Sequence, residues 1–302
     1  MTDVIIVGAG TAGLSAAIYA ARAGKSVIVF EGKMYGGQIV NTPEVENYPG
    51  IKNISGFDFA TSLYEQAKSH GVKVVMQNVT AIENDGAIKK VVTPKDTYAA
   101  KSVILATGAV SRKLGLPHEN EWVGAGVSYC ATCDGNFYRG KTVAVNGGGN
   151  TALEDAIYLS GICEKVYVIH RRDEFRGEGH FVETLKNKDN VEFILDSTIS
   201  ELRGDGRLES LIIKNKKTEE ETELPVNGLF VAIGQIPLNS AFADVVELDD
   251  AGYIVAGEDT KTSADGIFAA GDGRTKKVRQ LVTAAGDGAI AAITACAYAD
   301  EI

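Results

Sequence analysis

The fold is decided by the stretch Val4-Ile5-Ile6-Val7-Gly8-Ala9-Gly10-Thr11-Ala12-Gly13, close to the start of the chain. Its first four residues are apolar and β-branched, which is typical of a parallel strand buried on both faces. The glycines follow at once, and an alanine-rich, helix-like run from Leu14 to Ala23 ends at Gly24. A second apolar run, Ser26 to Phe30, completes a predicted strand–helix–strand unit.

The glycine turn has the spacing of a dinucleotide-binding site. Its glycines allow a pyrophosphate to approach the helix N-terminus, where free N–H groups favour anions. Glu31 lies 23 residues after Gly8, where a carboxylate accepts hydrogen bonds from a ribose. A purely structural glycine turn is the alternative, but the strand, the helix and the acid together argue against it. The predicted binding residues are Gly8, Gly10, Thr11, Ala12, Gly13 and Glu31.

A second glycine turn lies in the middle of the chain. The apolar run Thr142 to Val145 leads into Gly147-Gly148-Gly149-Asn150-Thr151, and a helical run and a further strand follow. That strand ends in His170-Arg171-Arg172, with no acid in the ribose position. Because arginine binds phosphate bidentately, this site favours NADPH with its 2′-phosphate, and a solvated basic patch is the alternative. The predicted residues are Gly147, Gly149, Asn150, Thr151, His170, Arg171, Arg172 and Arg176.

A third feature also occurs twice: Leu229 to Gly234 and Val103 to Gly108 are both mostly apolar runs that end in a glycine. Three features in the same order indicate an internal duplication. We therefore predict an α/β fold with two Rossmann-like dinucleotide-binding domains. The segment Gly266 to Asp272 has no partner strand of its own, so we expect it to return to the first domain and make the second an insertion. The predicted domains are 1–116 with 245–302, and 117–244.

Just ahead of the second glycine turn stands Tyr129-Cys130-Ala131-Thr132-Cys133-Asp134-Gly135. Two cysteines three positions apart, beside an acid, indicate a dithiol/disulfide redox pair. The alternative is half of a zinc site, which needs four Cys or His ligands, and the remaining cysteines and histidines have no ligand spacing. Asp134 is the candidate proton donor and acceptor for the thiols, with capping of a turn as the structural alternative.

Composition limits the function classes. The formal charge of −10 and the pI near 5.0 argue against a nucleic-acid surface, which needs clustered Lys and Arg. We see no apolar run near the roughly 20 residues that span a bilayer, and we expect a cytoplasmic protein that binds no membrane. Four cysteines are too few for a disulfide scaffold, so we expect Cys163 and Cys296 to be inert core residues.

Along nearly its whole length, the sequence resembles bacterial low-molecular-weight thioredoxin reductases. Beyond both glycine turns, the cysteine pair and the arginine motif, the matching motifs are Gly37-Gln38, Glu46-Asn47-Tyr48-Pro49-Gly50, Ala106-Thr107-Gly108, Gly271-Asp272 and Arg279-Gln280. The resemblance implies FAD in the outer domain, NADPH in the inserted one, a homodimer and thioredoxin as partner. It implies further cofactor-binding roles for Gly37, Gln38, Asn47, Thr107, Gly108, Gly271, Asp272, Arg279 and Gln280.

The expected function is therefore reduction of thioredoxin disulfide by NADPH through FAD and the Cys130–Cys133 pair. The alternatives are a reductase of a peroxiredoxin or other dithiol carrier, a ferredoxin-dependent reductase, a dithiol oxidase that passes electrons to oxygen, and a non-catalytic redox sensor. Two features depart from the family pattern. Asn146 stands where an apolar residue is usual, and Gly177-Glu178-Gly179 loosens the helix expected after Arg176.

Overall fold

Strand β1 (Thr2–Val7) is an inner strand of the first sheet, and Val4, Ile5 and Ile6 are fully buried. The structure, a computed structural model, describes all residues from 1 to 302. Buried aliphatic side chains on both faces of β1 explain why the sequence run lacks polar alternation. The helix that follows is α1 (Thr11–Arg22), whose small side chains allow close packing against the sheet.

The N-terminal part of the chain builds most of one sheet. Its other elements are β2 (Val27–Glu31), α2 (Gly56–Ser69), β3 (Lys73–Met76), β4 (Ala81–Asp85), β5 (Ile88–Val92) and β6 (Thr97–Leu105). The strand order is β3-β2-β1-β6-β5-β4. Strands β3, β2, β1 and β6 are parallel, whereas β4, β5 and β6 form an antiparallel extension.

The middle of the chain forms a second parallel sheet and a small antiparallel one. Its elements are β7 (Ala109–Ser111), β8 (Val127–Ser128), α3 (Ala131–Asp134), β9 (Thr142–Asn146), α4 (Asn150–Ser160), β10 (Lys165–Ile169), α5 (Gly179–Lys186), β11 (Val191–Ile194), β12 (Ser197–Arg203), β13 (Ser210–Asn215), β14 (Glu221–Pro225), β15 (Gly228–Val231) and β16 (Gln235–Pro237). The parallel sheet has the order β11-β10-β9-β15-β8, and β12, β13 and β14 form the antiparallel sheet.

The C-terminal part completes the first sheet. Strand β17 (Ile267–Ala269) pairs in parallel with β6, and helix α6 (Leu281–Glu301) packs beside α1. The chain thus divides into two compact units, Met1–Val110 with Ile236–Ile302, and Ser111–Gln235. The second unit is inserted in the first, as the fold class predicted from the sequence requires.

Both points where the chain passes between the units lie N-terminal to the boundaries expected from the sequence. Leu114 and Leu116 already pack against the core of the second unit, although they precede Pro117, the first residue of the predicted inserted domain. Phe242 is already part of the core of the first unit. Packing of these apolar side chains therefore decides the boundary, and the position of proline does not.

The two units repeat one arrangement, which agrees with the predicted duplication. In the first, β1 lies between β2 and β6; in the second, β9 lies between β10 and β15. A Cβ on Gly8 would lie 2.3 Å from the carbonyl oxygen of Ala106, and a Cβ on Gly147 would lie 2.3 Å from that of Ala232. In both units the first glycine is therefore required by the backbone that follows the neighbouring strand.

Helix α6 corrects one expectation from the sequence. By length and composition alone it could cross a membrane, which the sequence analysis did not detect because Asp287 interrupts the apolar residues. One such helix is weak evidence for a span. Its alanines Ala291, Ala292 and Ala295 are fully buried in the core cluster that also contains residues of α1 and β1, and Ala299 is fully buried too. This face of α6 is therefore part of the protein core.

Candidate functional site

The first glycine turn joins β1 to α1. Gly10 caps α1, and a Cβ on Gly13 would lie 1.9 Å from the carbonyl oxygen of Gly8. A Cβ on Gly271 would lie 2.8 Å from the Cβ of Ala12, so the C-terminal Gly271 turn packs against the start of the same helix. The free N–H groups of the first turn of α1 form an anion-binding end.

Glu31 is the last residue of β2 and lies beside this turn. Its Oε2 accepts a hydrogen bond from the backbone N–H of Ala9 at 2.9 Å, and its Oε1 accepts one from the N–H of Lys33 at 2.9 Å. These two bonds fix the orientation of the carboxylate. Because each carboxylate oxygen has two lone pairs, both oxygens can also accept a ligand hydroxyl.

Asp272 lies in the turn after β17. Its Oδ1 is buried and has no hydrogen-bond partner in the protein. Burial raises the pKa of its carboxyl above the ordinary value, although the charges of Lys276 and Arg279 act in the opposite direction. Buried acceptors in native proteins nearly always have a donor. Asp272 therefore has an oxygen available to a polar ligand group.

Asn239, which no sequence motif indicated, links three loops of the first unit: those of Thr107, Gly252 and Gly273. Its side chain is fully buried, and its Nδ2 donates to the carbonyl oxygens of Gly273 at 2.8 Å and Gly252 at 2.9 Å. Its Oδ1 accepts a hydrogen bond from the Thr107 hydroxyl at 2.5 Å. No motif spacing points to Asn239, because its partners lie far away in the sequence. It joins the Thr107-Gly108 loop to the loop of Asp272.

The structure brings the remaining predicted residues of the first unit to the same region. Arg279 donates from Nε to the backbone oxygen of Asp272 at 3.4 Å. Gln280 caps α6, and its Oε1 accepts a hydrogen bond from Asn47 Nδ2 at 3.2 Å. Gly37, where a Cβ would lie 3.4 Å from the Cα of Gly10, begins the short 3₁₀ helix that also contains Gln38.

The second glycine turn joins β9 to α4 and is closed by the loop that follows β10. Gly149 caps α4, and the carbonyl oxygen of Gly148 accepts hydrogen bonds from the N–H groups of Arg176 at 2.8 Å and Gly177 at 3.1 Å. The Asn150 side chain bonds Glu178, the residue that caps α5. Thr151 follows in the exposed first turn of α4.

The Gly177 departure from the family pattern has a steric reason. A Cβ at position 177 would lie 2.5 Å from Cδ1 of Leu153, in the core of the second unit. The chain is therefore a loop where it contacts Leu153, and α5 begins after it, at Gly179.

The arginines after β10 are exposed, and none of Arg171, Arg172 and Arg176 forms an ion pair with a carboxylate. His170 is buried, and its Nε2 has no hydrogen-bond partner. Burial lowers the pKa of His170, and the charges of the three arginines lower it further. All three arginines lie in the loop that follows β10 and have no carboxylate partner, so their guanidinium groups are available to bind a phosphate.

The cysteine pair begins helix α3. Cys130 and Cys133 form a disulfide with a Cα–Cα distance of 5.3 Å, and Cys130 Sγ accepts a hydrogen bond from the Cys133 N–H at 3.2 Å. Cys133 is exposed, whereas Cys130 is half-buried. The sequence prediction of a disulfide pair is confirmed. Cys163 and Cys296 are free and buried, and burial raises the pKa of both thiols, that of Cys163 to about 11.

Asp134 closes α3, and Ser128 connects it to the cysteines. The Ser128 hydroxyl donates to Asp134 Oδ2 at 2.6 Å and accepts a hydrogen bond from the Cys130 N–H at 3.1 Å. Burial raises the pKa of Asp134, and the hydrogen bond from Ser128 partly offsets this effect. A carboxyl with a raised pKa is a better proton donor and acceptor at cellular pH than an ordinary aspartic acid. Sequence reasoning missed Ser128.

Two Rossmann-like units and a redox disulfide define a class, that of two-domain oxidoreductases acting on disulfides. Residues 2–288 match the family model of the pyridine nucleotide-disulphide oxidoreductases. The chain therefore belongs to this family, and within it to the thioredoxin reductases, as the following similarities show.

The chain is 46% identical over 305 residues to the thioredoxin reductase of Peptoclostridium acidaminophilum, covering 99% of this chain and 97% of that protein. It is 46% identical over 296 residues to the bifunctional thioredoxin reductase/thioredoxin of Mycobacterium leprae, covering 97% of this chain and 65% of that longer protein. The crystal structure of thioredoxin reductase from Streptococcus pyogenes superposes with a TM-score of 0.96 at 42% identity, covering 100% of this chain and 99% of that one.

Proposed function

We propose that this protein is an NADPH-dependent thioredoxin-disulfide reductase that uses FAD. The single observation that carries the proposal is the Cys130–Cys133 disulfide next to Asp134, in the unit that also holds the second glycine turn and the unpaired arginines. Membership of the thioredoxin reductases supports the same activity.

FAD fits the residues of the first unit. The glycine turn leads into the free N–H groups at the start of α1, which favour a pyrophosphate, Glu31 is held beside the turn, where it can accept ribose hydroxyls, and Asp272 has an unpartnered buried oxygen. When bound, FAD supplies the chemistry that links a two-electron hydride donor to a disulfide. We assign its binding to Gly8, Gly10, Thr11, Ala12, Gly13, Glu31, Gly37, Gln38, Asn47, Thr107, Gly108, Gly271, Asp272, Arg279 and Gln280.

NADPH fits the residues of the second unit. The α4 N-terminus offers free N–H groups to a pyrophosphate, and Arg171, Arg172 and Arg176 carry no carboxylate partner that a 2′-phosphate would have to displace. A ferredoxin-dependent reductase would have no need of these exposed charges. We assign the binding of NADPH to Gly147, Gly149, Asn150, Thr151, His170, Arg171, Arg172 and Arg176.

The cysteine pair passes electrons on by thiol–disulfide exchange. In the reduced state, one thiolate of the pair attacks the partner disulfide and forms a mixed disulfide, and the second thiolate then releases the reduced partner. The reductase regains its Cys130–Cys133 bond, and the partner gains two electrons and two protons. Asp134 is placed to move one of these protons, because its pKa is raised and it lies beside the pair.

We further propose that the partner is thioredoxin and that the protein is a cytoplasmic homodimer. The Mycobacterium leprae relative combines reductase and thioredoxin in one chain, which supports that pairing. Val282, Ile290 and Ile293 are exposed apolar residues on the outer face of α6, which suits an interface with a second copy. The buried state of both free thiols suits a reducing compartment, where disulfides have catalytic roles.

An anaerobic visible spectrum of the FAD-loaded protein tests the proposal. Stoichiometric NADPH should bleach the flavin absorbance, and oxidised thioredoxin should restore it. Bleaching by reduced ferredoxin alone would contradict the donor assignment. Recovery with a peroxiredoxin-linked dithiol carrier, but not with thioredoxin, would show that the acceptor is that carrier. Recovery with oxygen alone would indicate a dithiol oxidase. If no donor bleaches the flavin, the protein is a non-catalytic redox sensor.

A further inference from the structure

Ser128 occupies a central position beside the redox disulfide. It lies in β8, the edge strand of the second unit's parallel sheet, and is only 2% exposed. A serine hydroxyl has one proton to donate and two lone pairs. Here the proton is donated to Asp134 Oδ2 at 2.6 Å, and a lone pair accepts the Cys130 N–H at 3.1 Å. One hydroxyl therefore connects the backbone of a redox cysteine to the nearby carboxyl group.

We propose that Ser128 is a positioning residue for the proton transfer that accompanies thiol–disulfide exchange at Cys130 and Cys133. This inference rests on the proposed function, because it assumes that Asp134 exchanges protons with the cysteine pair. Ser128 orients Oδ2 of Asp134 and keeps it in a fixed relation to the Cys130 backbone. Its hydroxyl also stabilises the ionised form of the carboxyl, so that Asp134 can act as a base as well as an acid.

When the second cysteine of the reduced pair attacks the mixed disulfide, its S–H proton passes to the Asp134 carboxylate, the Cys130–Cys133 bond forms and the enzyme–partner S–S bond breaks. The departing partner thiolate takes up a proton. Two electrons move from the enzyme dithiol to the partner, and Asp134 then returns its proton to solvent or to the leaving thiolate.

No charged side chain shifts the pKa of Asp134. Burial raises the pKa of Asp134, and the hydrogen bond from Ser128 is the effect that opposes it. Tyr138, in the turn after α3, has its own pKa raised to about 12 by burial and by the charge of Asp134. On α4, which packs against α3, the titratable groups are Glu154, Asp155 and Tyr158, and Asp155 is affected by burial and Glu154.

The test compares Ser128→Ala with Ser128→Thr, which keeps the hydroxyl. Loss of a hydrogen bond to a carboxylate disfavours the charged form, so the pKa of Asp134 should rise by about one unit in Ser128→Ala. The limb of the kcat pH profile for thioredoxin reduction that reports Asp134 should shift upward by the same amount, with kcat down about tenfold on the acid side of that limb. KM for thioredoxin should not change, since Ser128 is buried, and Ser128→Thr should retain the wild-type profile.

Ser210→Ala is the matched control. Ser210 is also buried in the second unit and also donates to a carboxylate at 2.6 Å, that of Glu223, but it lies on the small antiparallel sheet. It should leave both kcat and the pH profile unchanged. If Ser128→Ala fails to fold by circular dichroism, Ser128→Gly provides a second variant without the hydroxyl.

A readout independent of turnover separates this inference from the proposed function. Infrared difference spectra, with Asp134→Asn as the blank, report ionisation of the Asp134 carboxyl directly. A rise of about one unit in Ser128→Ala supports control of Asp134 ionisation by Ser128, and this result does not depend on whether the wild type reduces thioredoxin, which the flavin spectrum tests separately. Identical titrations of wild type and Ser128→Ala, or an effect confined to KM, would overturn it.

Discussion

Arg274 holds Asp287 by two buried hydrogen bonds, from Nε to Oδ2 at 2.8 Å and from Nη2 to Oδ1 at 2.9 Å. The same carboxylate accepts Lys276 Nζ at 2.9 Å and the backbone N–H of Gly271 at 3.0 Å. Gly271 directly precedes Asp272. This ion cluster therefore fixes both the N-terminal part of α6 and the turn that presents Asp272.

Asp287→Asn should be strongly destabilising. It leaves the buried Lys276 without a counterion and Arg274 with only the highly exposed Glu258 at 3.4 Å, which costs about 3–5 kcal/mol. Urea unfolding followed by far-UV circular dichroism measures the loss. Asp300→Asn is the control, because Asp300 lies on the same helix and pairs with Lys25 but is 66% exposed, so its loss should cost less than about 1 kcal/mol. Equal stabilities of the two variants would contradict the role of the cluster.

Acid should weaken the same cluster. Burial alone would raise the pKa of Asp287, but the hydrogen bonds from Arg274 and Lys276 outweigh it and hold the pKa below the ordinary 3.8. Its contribution to stability is therefore present above pH 3.8 and is lost as the pH falls through the lower folded value. Unfolding of wild type between pH 5 and 2 should show this loss, and Asp287→Asn should lack that part of it.

Asp155 should have the opposite effect on stability. Burial, with the charge of Glu154, raises its pKa from 3.8 to about 7. The protonated form is thus favoured in the folded state, and stability falls as the pH rises from 3.8 towards 7. Asp155→Asn should be more stable than wild type at pH 8 by about 1–3 kcal/mol and similar to it at pH 4. The exposed Asp189→Asn serves as control, and equal stability of Asp155→Asn and wild type at pH 8 would refute the shift.

Arg171 and Arg172 should determine the preference for NADPH. Each charge-assisted hydrogen bond to the 2′-phosphate is worth roughly 1.5–3 kcal/mol, so replacing either residue by Ala should lower kcat/KM for NADPH by about tenfold or more. Use of NADH should change little, because NADH lacks this phosphate. Arg207→Ala is the control, since Arg207 is an exposed arginine of the same unit. A wild type that uses both nucleotides equally well would show that this interpretation is wrong.

Cys130→Ser and Cys133→Ser should each leave flavin reduction by NADPH intact while abolishing the reduction of thioredoxin. Reduction of the flavin by NADPH needs neither sulfur and should stay within about twofold of wild type in stopped-flow traces, an estimate that treats the two sites as independent. Reduction of thioredoxin should be abolished, because exchange requires both thiols. Cys296→Ala, at the buried free thiol of the first unit, should keep full activity. Thioredoxin turnover in either serine variant would remove this pair from the mechanism.

The local parts of the fold and site could be predicted from the sequence. The β1 run, the Gly8–Gly13 turn and Glu31 follow from rules that connect neighbouring residues, and each lies in the predicted element. The disulfide was predicted because its two cysteines are three positions apart. In both cases the physical cause lies within a few residues of chain.

Asn239, Ser128 and the Arg274–Asp287 pair could not be predicted in this way. Each is a buried polar group whose type is set by partners that the fold brings together, such as Thr107 for Asn239. From the sequence alone, such residues look like ordinary polar positions in loops or helices. The domain boundaries were misplaced for a related reason, since the packing of Leu114 and Phe242 is a tertiary property.

The matched contacts of Gly8 and Gly147 limit how the two halves of the chain can diverge. Any side chain at either position would meet a carbonyl oxygen 2.3 Å away, so neither glycine can change unless the adjoining strand moves. The ends of the second strands carry no such restriction, and there one half has Glu31 and the other Arg171. Substitutions at the ends of these strands can therefore change the nucleotide preference that we propose for each half, while the glycine turn itself stays the same.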